Sequence, residues 1–190
     1  MRETAGRASV VPMPRLFLGL EIPPLQTQAL AALQVALRDV RWIEPSDFHV
    51  TLRFIGDVSP RAADDLVETI GARPRKAPRV ALGELACFGG MKPRSLYASV
   101  ARDDRLTALA EHLERLCRRL GHAPQTRRFT PHVTIARLNA ATDTAGLARW
   151  LAAHGAFRAE PFAAQRLALY SARDSVGGGP YRVEETFPFL

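Results

Sequence analysis

The tripeptide His-Val-Thr occurs twice in this chain, beginning at His49 and at His132, each time inside an apolar run. The residues around each copy predict the same order of elements, strand-helix-strand-helix-strand, with the tripeptide on the second strand. The first strands are similarly spaced, since Phe17 lies 32 residues before His49 and Tyr97 lies 35 residues before His132. A pattern that matches in element order and spacing is typical of an internal duplication. One structural unit is therefore predicted to be used twice.

Two such units predict an α+β fold. We expect a single bilobal domain over residues 14–190, made of β-α-β-α-β units at about 15–88 and 95–190. Two mostly antiparallel sheets should flank a central cleft, with the helices outside. No long apolar segment of the signal-peptide type follows the early arginines. Residues 1–13 are therefore expected to be a disordered tail or, if Met13 is the true start, an upstream segment of little structural meaning. No apolar run approaches the ~20 residues that a membrane-spanning helix needs.

Charge and cysteine content limit the class of protein. The formal net charge is +7, and Lys76 and Lys92 are the only lysines among 26 basic residues. An arginine-rich basic chain suits a polyanionic partner, although the run "RPRKAPR" at 73–79 is more typical of a solvated loop. Cys87 and Cys117 match no metal or redox spacing, which favours a reducing compartment and a cytoplasmic protein.

Alternation of side chains along a strand separates the motif residues into two sets. The valine of each copy points to the core. The side chains predicted to face the other way are His49, Thr51 and Arg53 in the first copy and His132 and Thr134 in the second. Two units that face each other would place two imidazoles and two hydroxyls around one cleft.

This set of groups suits displacement at phosphorus. An imidazole titrates near neutral pH, so one can accept a proton from the attacking oxygen while the other donates one to the leaving oxygen. Threonine hydroxyls can bind the non-bridging phosphate oxygens, and hydrogen bonds and arginine can meet the phosphate charge without a metal. A zinc site on the same histidines is the alternative chemistry. It would need a third protein ligand, whereas the motif strands offer threonine and arginine.

The words "HVTL" (49–52) and "HVTI" (132–135) resemble the signature of the 2H phosphoesterase superfamily. The segments "RLFLGLEIPP", "VRWIEPSDFHVTLRFIGDV", "PRSLYASV", "FTPHVTIAR" and "LYSARDSVGGGPYRV" resemble the bacterial RNA 2′,3′-cyclic phosphodiesterases, also called 2′-5′ RNA ligase-like proteins. The resemblance runs from about residue 14 to the C-terminus. It implies hydrolysis of an RNA terminal 2′,3′-cyclic phosphate to a 2′-phosphate without a cofactor and, in reverse, 2′-5′ RNA ligation.

The resemblance also implies roles for the four motif side chains. By the family pattern His49 donates a proton to the departing 3′ oxygen, and His132 accepts a proton from water. Thr51 and Thr134 would bind the phosphate. The symmetry of the two copies cannot assign the two histidine roles, because it treats them as equivalent.

Four further side chains are candidates for substrate binding. The resemblance implicates Arg137, but strict alternation places it on the core face, so either the strand bends there or the side chain reaches the cleft from its rim. Arg53 faces the cleft by alternation. Phe17 and Tyr97, at equivalent positions on the first strands, can stack on a base at the cleft mouth or can serve as ordinary core aromatics.

The expected partner is an RNA 3′ end bearing a 2′,3′-cyclic phosphate, with no membrane and no metal involved, and the chain is expected to be a monomer. Two alternatives remain. One is the same reaction on a small cyclic phosphate, such as a nucleotide or an ADP-ribose derivative. The other is an RNA-binding protein without catalysis, which the intact histidine and threonine in both copies argue against. The glycine loop "VGGGP" at 176–180 is interpreted as a hairpin loop first and a substrate-covering loop second.

Overall fold

The computed structural model describes residues 15–35, 37–172 and 179–190. The predicted tail and the first three residues of the glycine loop, 176–178, lie outside the described residues. No helix in the described ranges is long and apolar enough to cross a membrane.

The described residues form ten strands and four α-helices, which confirms the predicted α+β class. The strands are β1 (Arg15–Glu21), β2 (Val40–Trp42), β3 (His49–Asp57), β4 (Arg79–Val80), β5 (Leu82–Phe88), β6 (Ser95–Val100), β7 (His132–Leu138), β8 (Phe162–Ala163), β9 (Arg166–Ala172) and β10 (Tyr181–Pro188). The helices are α1 (Pro24–Ala31), α2 (Pro60–Gly71), α3 (Asp104–Arg119) and α4 (Thr144–His154).

The main core joins one face of the large sheet to the helices, and α3 illustrates how the sequence builds it. Asp103 begins the helix by accepting a hydrogen bond from the N–H of Leu106 at 2.8 Å, which satisfies an otherwise unpaired donor. Leu106, Leu109, Leu113 and Leu116 recur at helical spacing and are all buried. Each such leucine contributes roughly 1.5–3 kcal/mol when it is fully buried. The sheet is therefore covered on this side, and the motif side chains must use the other.

The large sheet has eight strands, in the order β10-β9-β1-β3-β7-β6-β5, with β2 paired to β7, and its described pairs are antiparallel. β4 and β8 form a separate two-stranded sheet. The two expected sheets are thus joined, but only through the pair Val50–Val133. Beyond that pair, β2 instead of β3 pairs with this edge of β7, from Val40 opposite Leu138 to Trp42 opposite Ala136. The three-residue strand β2 therefore separates the halves of the sheet on one side of their junction.

The two predicted units exchange their third strands. β9 of the second unit pairs with β1 of the first, and β5 of the first unit pairs with β6 of the second. Each half of the sheet consequently contains the first two strands of one unit and the third strand of the other. The units are interleaved rather than packed side by side.

A β-bulge follows each motif at the same place. In β3, Leu18 pairs with Arg53 and Gly19 with Thr51, so Leu52 is an extra residue without a partner on β1. In β7, Ile135 is extra in the same way, because Leu96 pairs with Ala136 and Tyr97 with Thr134. Each bulge comes three residues after the motif histidine. An extra residue reverses the face to which the following side chains point.

The bulge in β3 corrects the expectation for Arg53. Strict alternation placed Arg53 beside His49, but its side chain lies on the core face and is only 3% exposed. Its Nε atom lies 2.6 Å from Oε2 of Glu114 on α3, and its Nη2 donates to the carbonyl oxygen of Ala123 at 2.5 Å. Arg53 ties β3 to the helix layer and does not reach the cleft.

The register also corrects the equivalence of the first strands. Tyr97 lies opposite Thr134, whereas the residue opposite Thr51 is Gly19. Gly19 and Tyr97 therefore hold equivalent places, and the predicted match of Phe17 with Tyr97 is wrong by two residues. Residues two apart on a strand point to the same face. Phe17 and Tyr97 therefore both lie on the cleft side, as predicted, although they are not equivalent.

We predict that Glu114→Gln destabilises the protein by about 3 kcal/mol, because it leaves the buried Arg53 charge without its partner. Glu84→Gln is the matched control, since Glu84 pairs with Arg158 at 2.8 Å on the surface, where such pairs contribute less than about 1 kcal/mol. Urea unfolding of both variants measures the difference. Equal losses would contradict the assignment of Arg53 to the core.

Candidate active site

The four motif side chains surround the point where the halves of the sheet meet. The two motif valines pair with each other in antiparallel register. Continuing that register by one residue on each side sets His49 across from Thr134 and Thr51 across from His132. The two imidazoles then belong to diagonal neighbours, which lie about 7–8 Å apart, with their Cβ atoms somewhat closer. All four side chains are half-buried, so they form one compact group that solvent can still reach.

Each histidine ring is oriented by a carbonyl group two residues earlier in the chain. Nδ1 of His49 lies 2.7 Å from the carbonyl oxygen of Asp47, and Nδ1 of His132 lies 2.7 Å from that of Thr130. A carbonyl oxygen only accepts, so Nδ1 must carry the proton and donate. Nε2 is then the nitrogen that can gain or release a proton in both rings. The same contact forms in both copies although the preceding segments differ, since a 3-10 turn (Pro45–Asp47) leads into His49 and residues 128–131 before His132 form no regular element.

Burial makes both imidazoles poor bases. It lowers the pKa of His49 from 6.5 to about 4; the hydrogen bond to Asp47 acts in the opposite direction, and the positive charges of His132 and Arg137 add to the lowering. The pKa of His132 is also lowered, first by burial and further by Arg137, against its hydrogen bond to Thr130. Both rings are therefore neutral at pH 7 in the absence of a ligand.

Arg137 lies on the same face as the histidines, which answers the conflict left by strict alternation. The bulge at Ile135 turns it away from the core, and its charge lowers the pKa of both histidines. Its Nε atom is buried without a hydrogen-bond partner in the described ranges. A guanidinium with a buried free donor beside two imidazoles favours an anionic ligand.

A second arginine, missed by the sequence analysis, lies beside Arg137. Arg41 on β2 is the direct cross-strand partner of Arg137 and is exposed. Neighbouring side chains of paired strands point to the same face, so Arg41 extends the positive charge along the cleft. No signal marked this residue, because a strand of three residues has too short a pattern to recognise.

Aromatic rings enclose each histidine. Around His49 they are Phe17, Tyr170 and Tyr181, with ring centroids 4.8, 5.4 and 5.1 Å from the imidazole. Around His132 they are Phe88 and Tyr97, at 4.8 and 5.3 Å. These rings supply the burial that lowers both pKa values. Tyr170 on β9 and Phe88 on β5 were missed because these third strands enter the site only through their exchange between the units. Tyr181 was missed because it lies at the start of the last strand, β10, which no motif marks.

The close packing at His49 requires a glycine on β1. A Cβ atom at Gly19 would lie 2.9 Å from the carbonyl oxygen of Val50, 3.3 Å from a ring carbon of Tyr170 and 3.6 Å from Cδ2 of His49. Any side chain would clash with the Val50 carbonyl oxygen and crowd the Tyr170 ring, while its Cβ atom would lie in ordinary van der Waals contact with His49. The equivalent position in the other half holds Tyr97, so the two sides of the site differ in shape.

The aromatic candidates for base stacking are placed unequally. Phe17 is 3% exposed, with Tyr170 stacked on it at a centroid distance of 4.9 Å, so it offers no free face to a base. Tyr97 is half-buried and stacks on Phe88 at 4.0 Å. Phe54, which the sequence analysis overlooked, is 61% exposed and pairs with Phe17 across the strands. It lies five residues after His49, as Arg137 does after His132.

Asp47 links His49 to the start of β10. Its carbonyl oxygen holds the imidazole, while its buried carboxylate accepts a hydrogen bond from the N–H of Tyr181 at 3.0 Å. The ring of Tyr181 in turn packs edge-on against His49. One acidic residue therefore positions both groups.

No group of three or more His, Cys, Asp or Glu side chains that could hold a metal ion occurs within residues 15–35, 37–172 and 179–190.

Comparison with known proteins gives one matching family and several relatives. A family model described as the 2′-5′ RNA ligase superfamily matches residues 22–175. An RNA 2′,3′-cyclic phosphodiesterase from Aeropyrum pernix is 31% identical over 114 residues, which cover 59% of this chain and 65% of that protein. One from Geobacillus stearothermophilus is 37% identical over 99 residues, covering 50% of this chain and 32% of that protein. The chain thus spans less than two thirds of the length of either relative.

A solved structure shows the same fold. The crystal structure of E. coli LigT complexed with 3′-AMP superimposes with a TM-score of 0.73 at 20% sequence identity, covering 94% of this chain and 98% of that one.

We predict that His49 makes stability depend on pH. As the pH falls below 6.5, the unfolded chain binds a proton at His49, whereas the folded protein binds it only near pH 4. The free energy of unfolding should therefore fall across this window, by up to about 3 kcal/mol from this group. Urea unfolding from pH 7.5 to pH 4 measures it. Over this pH range His49→Gln should lose less stability than the unmodified protein, by about the same 3 kcal/mol. His154→Gln is the control for removal of a histidine. If His49→Gln and the unmodified protein show the same pH dependence, the neutral ring of His49 is not buried.

Proposed function

The chain belongs to the 2′-5′ RNA ligase superfamily, and on that premise we propose that it hydrolyses the 2′,3′-cyclic phosphate at an RNA 3′ end to a 2′-phosphate. The names of the curated relatives support the choice of substrate. One structural observation carries the chemistry: Nδ1 of each motif histidine is held by a carbonyl group, which leaves two Nε2 atoms for proton transfer at diagonal corners of one site.

The proposed reaction is a single displacement at phosphorus. Water attacks the phosphorus atom while the bond from phosphorus to the 3′ oxygen breaks. Nε2 of His132 accepts the proton of the water, and Nε2 of His49 donates a proton to the 3′ oxygen, which leaves as a hydroxyl group. The 2′ bond stays intact, so the product is a 2′-phosphate. These two roles follow the family resemblance, and the diagonal placement supports an acid and a base on opposite sides of the phosphate.

The substrate itself helps to protonate the general acid. His49 has a pKa of about 4 without a ligand, so at pH 7 it lacks the proton that it must donate. An anionic phosphate between the motifs offsets the charge of Arg137 and raises the pKa of His49. Thr51 and Thr134 donate hydrogen bonds to the non-bridging oxygens.

Phe54 is proposed to hold the terminal base. Its ring is exposed on the cleft side next to the aromatic cluster of Phe17, and base–aromatic stacking tolerates any base. It takes the stacking role first expected of Phe17. A 5′-hydroxyl in the place of water would form a 2′-5′ phosphodiester by the same displacement, and hydrolysis dominates wherever water reaches the phosphorus.

The central test is an assay on an oligonucleotide with a terminal 2′,3′-cyclic phosphate in the presence of EDTA. We expect full activity with EDTA, formation of the 2′-phosphate alone, and a bell-shaped pH profile. His49→Ala and His132→Ala should each lower kcat at least ~10²-fold if both transfer protons, and His154→Ala, at the end of α4, should keep the original rate.

Three results would overturn this function. They are loss of activity with EDTA, which would indicate a metal; full activity of either motif-histidine variant; and formation of a 3′-phosphate, which would require the other phosphorus–oxygen bond to break.

We predict that Phe54→Ala raises KM for the oligonucleotide with kcat little changed, because stacking on one base contributes roughly 1–3 kcal/mol. Steady-state kinetics measure the two constants separately. Met91→Ala is the control, since Met91 is 98% exposed and lies in the turn between β5 and β6. An unchanged KM in Phe54→Ala would remove Phe54 from the substrate-binding surface.

A further inference from the structure

A basic cavity lies on the helix side of the sheet, whereas His49 and His132 lie on the other side. It has a volume of about 330 Å³ and is formed between residues 73–76 and the first half of α3. The charged or titratable residues that line it are Arg73, Arg75, Lys76, Arg105 and His112. The first three belong to the arginine-rich run that the sequence alone assigned to a solvated loop.

Among the described residues, no acidic side chain pairs with the positive charges of this cavity, although the C-terminal residue Leu190 donates its N–H to the carbonyl oxygen of Arg75 at 2.8 Å. No Asp or Glu lines the cavity in the part of the chain that the structure describes, and none of the six ion pairs found there involves the cavity's cations. Glu111, which precedes His112 on α3, pairs instead with Arg115 at 3.8 Å. Like charges collected without counter-charges repel one another, so the cavity favours a bound anion.

Arg75 has two buried hydrogen-bond donors that no described residue satisfies. Its Nε and Nη2 atoms are buried and have no hydrogen-bond partner in the part of the chain that the structure describes. Burial also lowers the pKa of its guanidinium. Arg75 as a whole is half-buried, but two buried N–H donors without acceptors are unfavourable. A planar guanidinium fork with two free donors matches two oxygens of a phosphate.

The same positive charges also surround His112 on α3. Partial burial lowers the pKa of His112, and the charges of Arg75, Arg115, Arg119 and Arg73 lower it further. A negative charge in the cavity would act in the opposite direction.

We propose that this cavity is a second anion site, which binds a phosphate group through the guanidinium groups of Arg75 and Arg105, with Arg73 and Lys76 at its rim. The phosphate could belong to a nucleic-acid backbone or to a small phosphate ion, and both present the same tetrahedral oxyanion. The inference uses none of the chemistry proposed for the cleft.

NMR of the histidine side chains can test the site directly. One probe is inorganic phosphate, and the other is a single-stranded oligodeoxynucleotide, which lacks the 2′-hydroxyl and is not a substrate. We expect a saturable shift of the His112 imidazole signal and a rise of its pKa with at least one probe. Arg75→Gln should weaken that binding at least about tenfold, the effect of one charge-assisted hydrogen bond.

Two further variants complete the test. If Arg75→Gln does not fold, Arg105→Gln at an exposed position provides the same test of binding. Arg61→Gln is the control, since it removes an arginine charge from α2 outside the cavity. If the His112 signal shifts with the oligonucleotide at a lower concentration, counted per phosphate group, than with inorganic phosphate, the site binds nucleic acid. If it shifts with inorganic phosphate alone, the site binds a small phosphate. An unmoved His112 signal with both probes, or equal weakening in Arg61→Gln, overturns the proposal.

Discussion

The pairing of Val50 with Val133 is the contact on which the rest of this structure depends. Among the described residues it is the one pair that joins β3 to β7, the central strands of the two halves. It also sets each motif histidine across from the threonine of the other motif. Because the valines point into the core, the same two residues bring the halves of the sheet together and direct the four polar side chains away from the core.

The two halves share a backbone plan but differ in their side chains at the site. Five residues after the histidine, the first half has an exposed phenylalanine and the second has Arg137. On the neighbouring strand, the first half has Gly19 where the second has Tyr97. One end of the site is therefore apolar and the other is positively charged. The site thereby has the same polarity as a nucleotide, which has its base at one end and its phosphate at the other.

The sequence predicted those features that follow from regular alternation within a few residues of each motif. The fold class, the strand position of each motif and the inward valines could be inferred because the pattern has a period of two and occurs twice. The faces of Arg53 and Arg137 could not, because the extra residues Leu52 and Ile135 break that period while looking like ordinary core positions. The position of Tyr170 in the site could not be predicted for another reason. Its strand comes from the other unit, and such a non-local pairing cannot be read from a local sequence pattern.

The exchange of third strands has a consequence for how the chain can fold. The outer edge of β1 is completed by β9, and the two strands are also linked by the ion pair between Glu21 and Arg166, 145 residues apart in the chain. While the protein is being synthesised, the N-terminal half must wait for almost the whole chain before this edge is covered. An apolar strand with an open edge can pair with another molecule, and such distant pairings form slowly. The architecture that makes one site from two interleaved units thus leaves the newly made N-terminal half prone to aggregation.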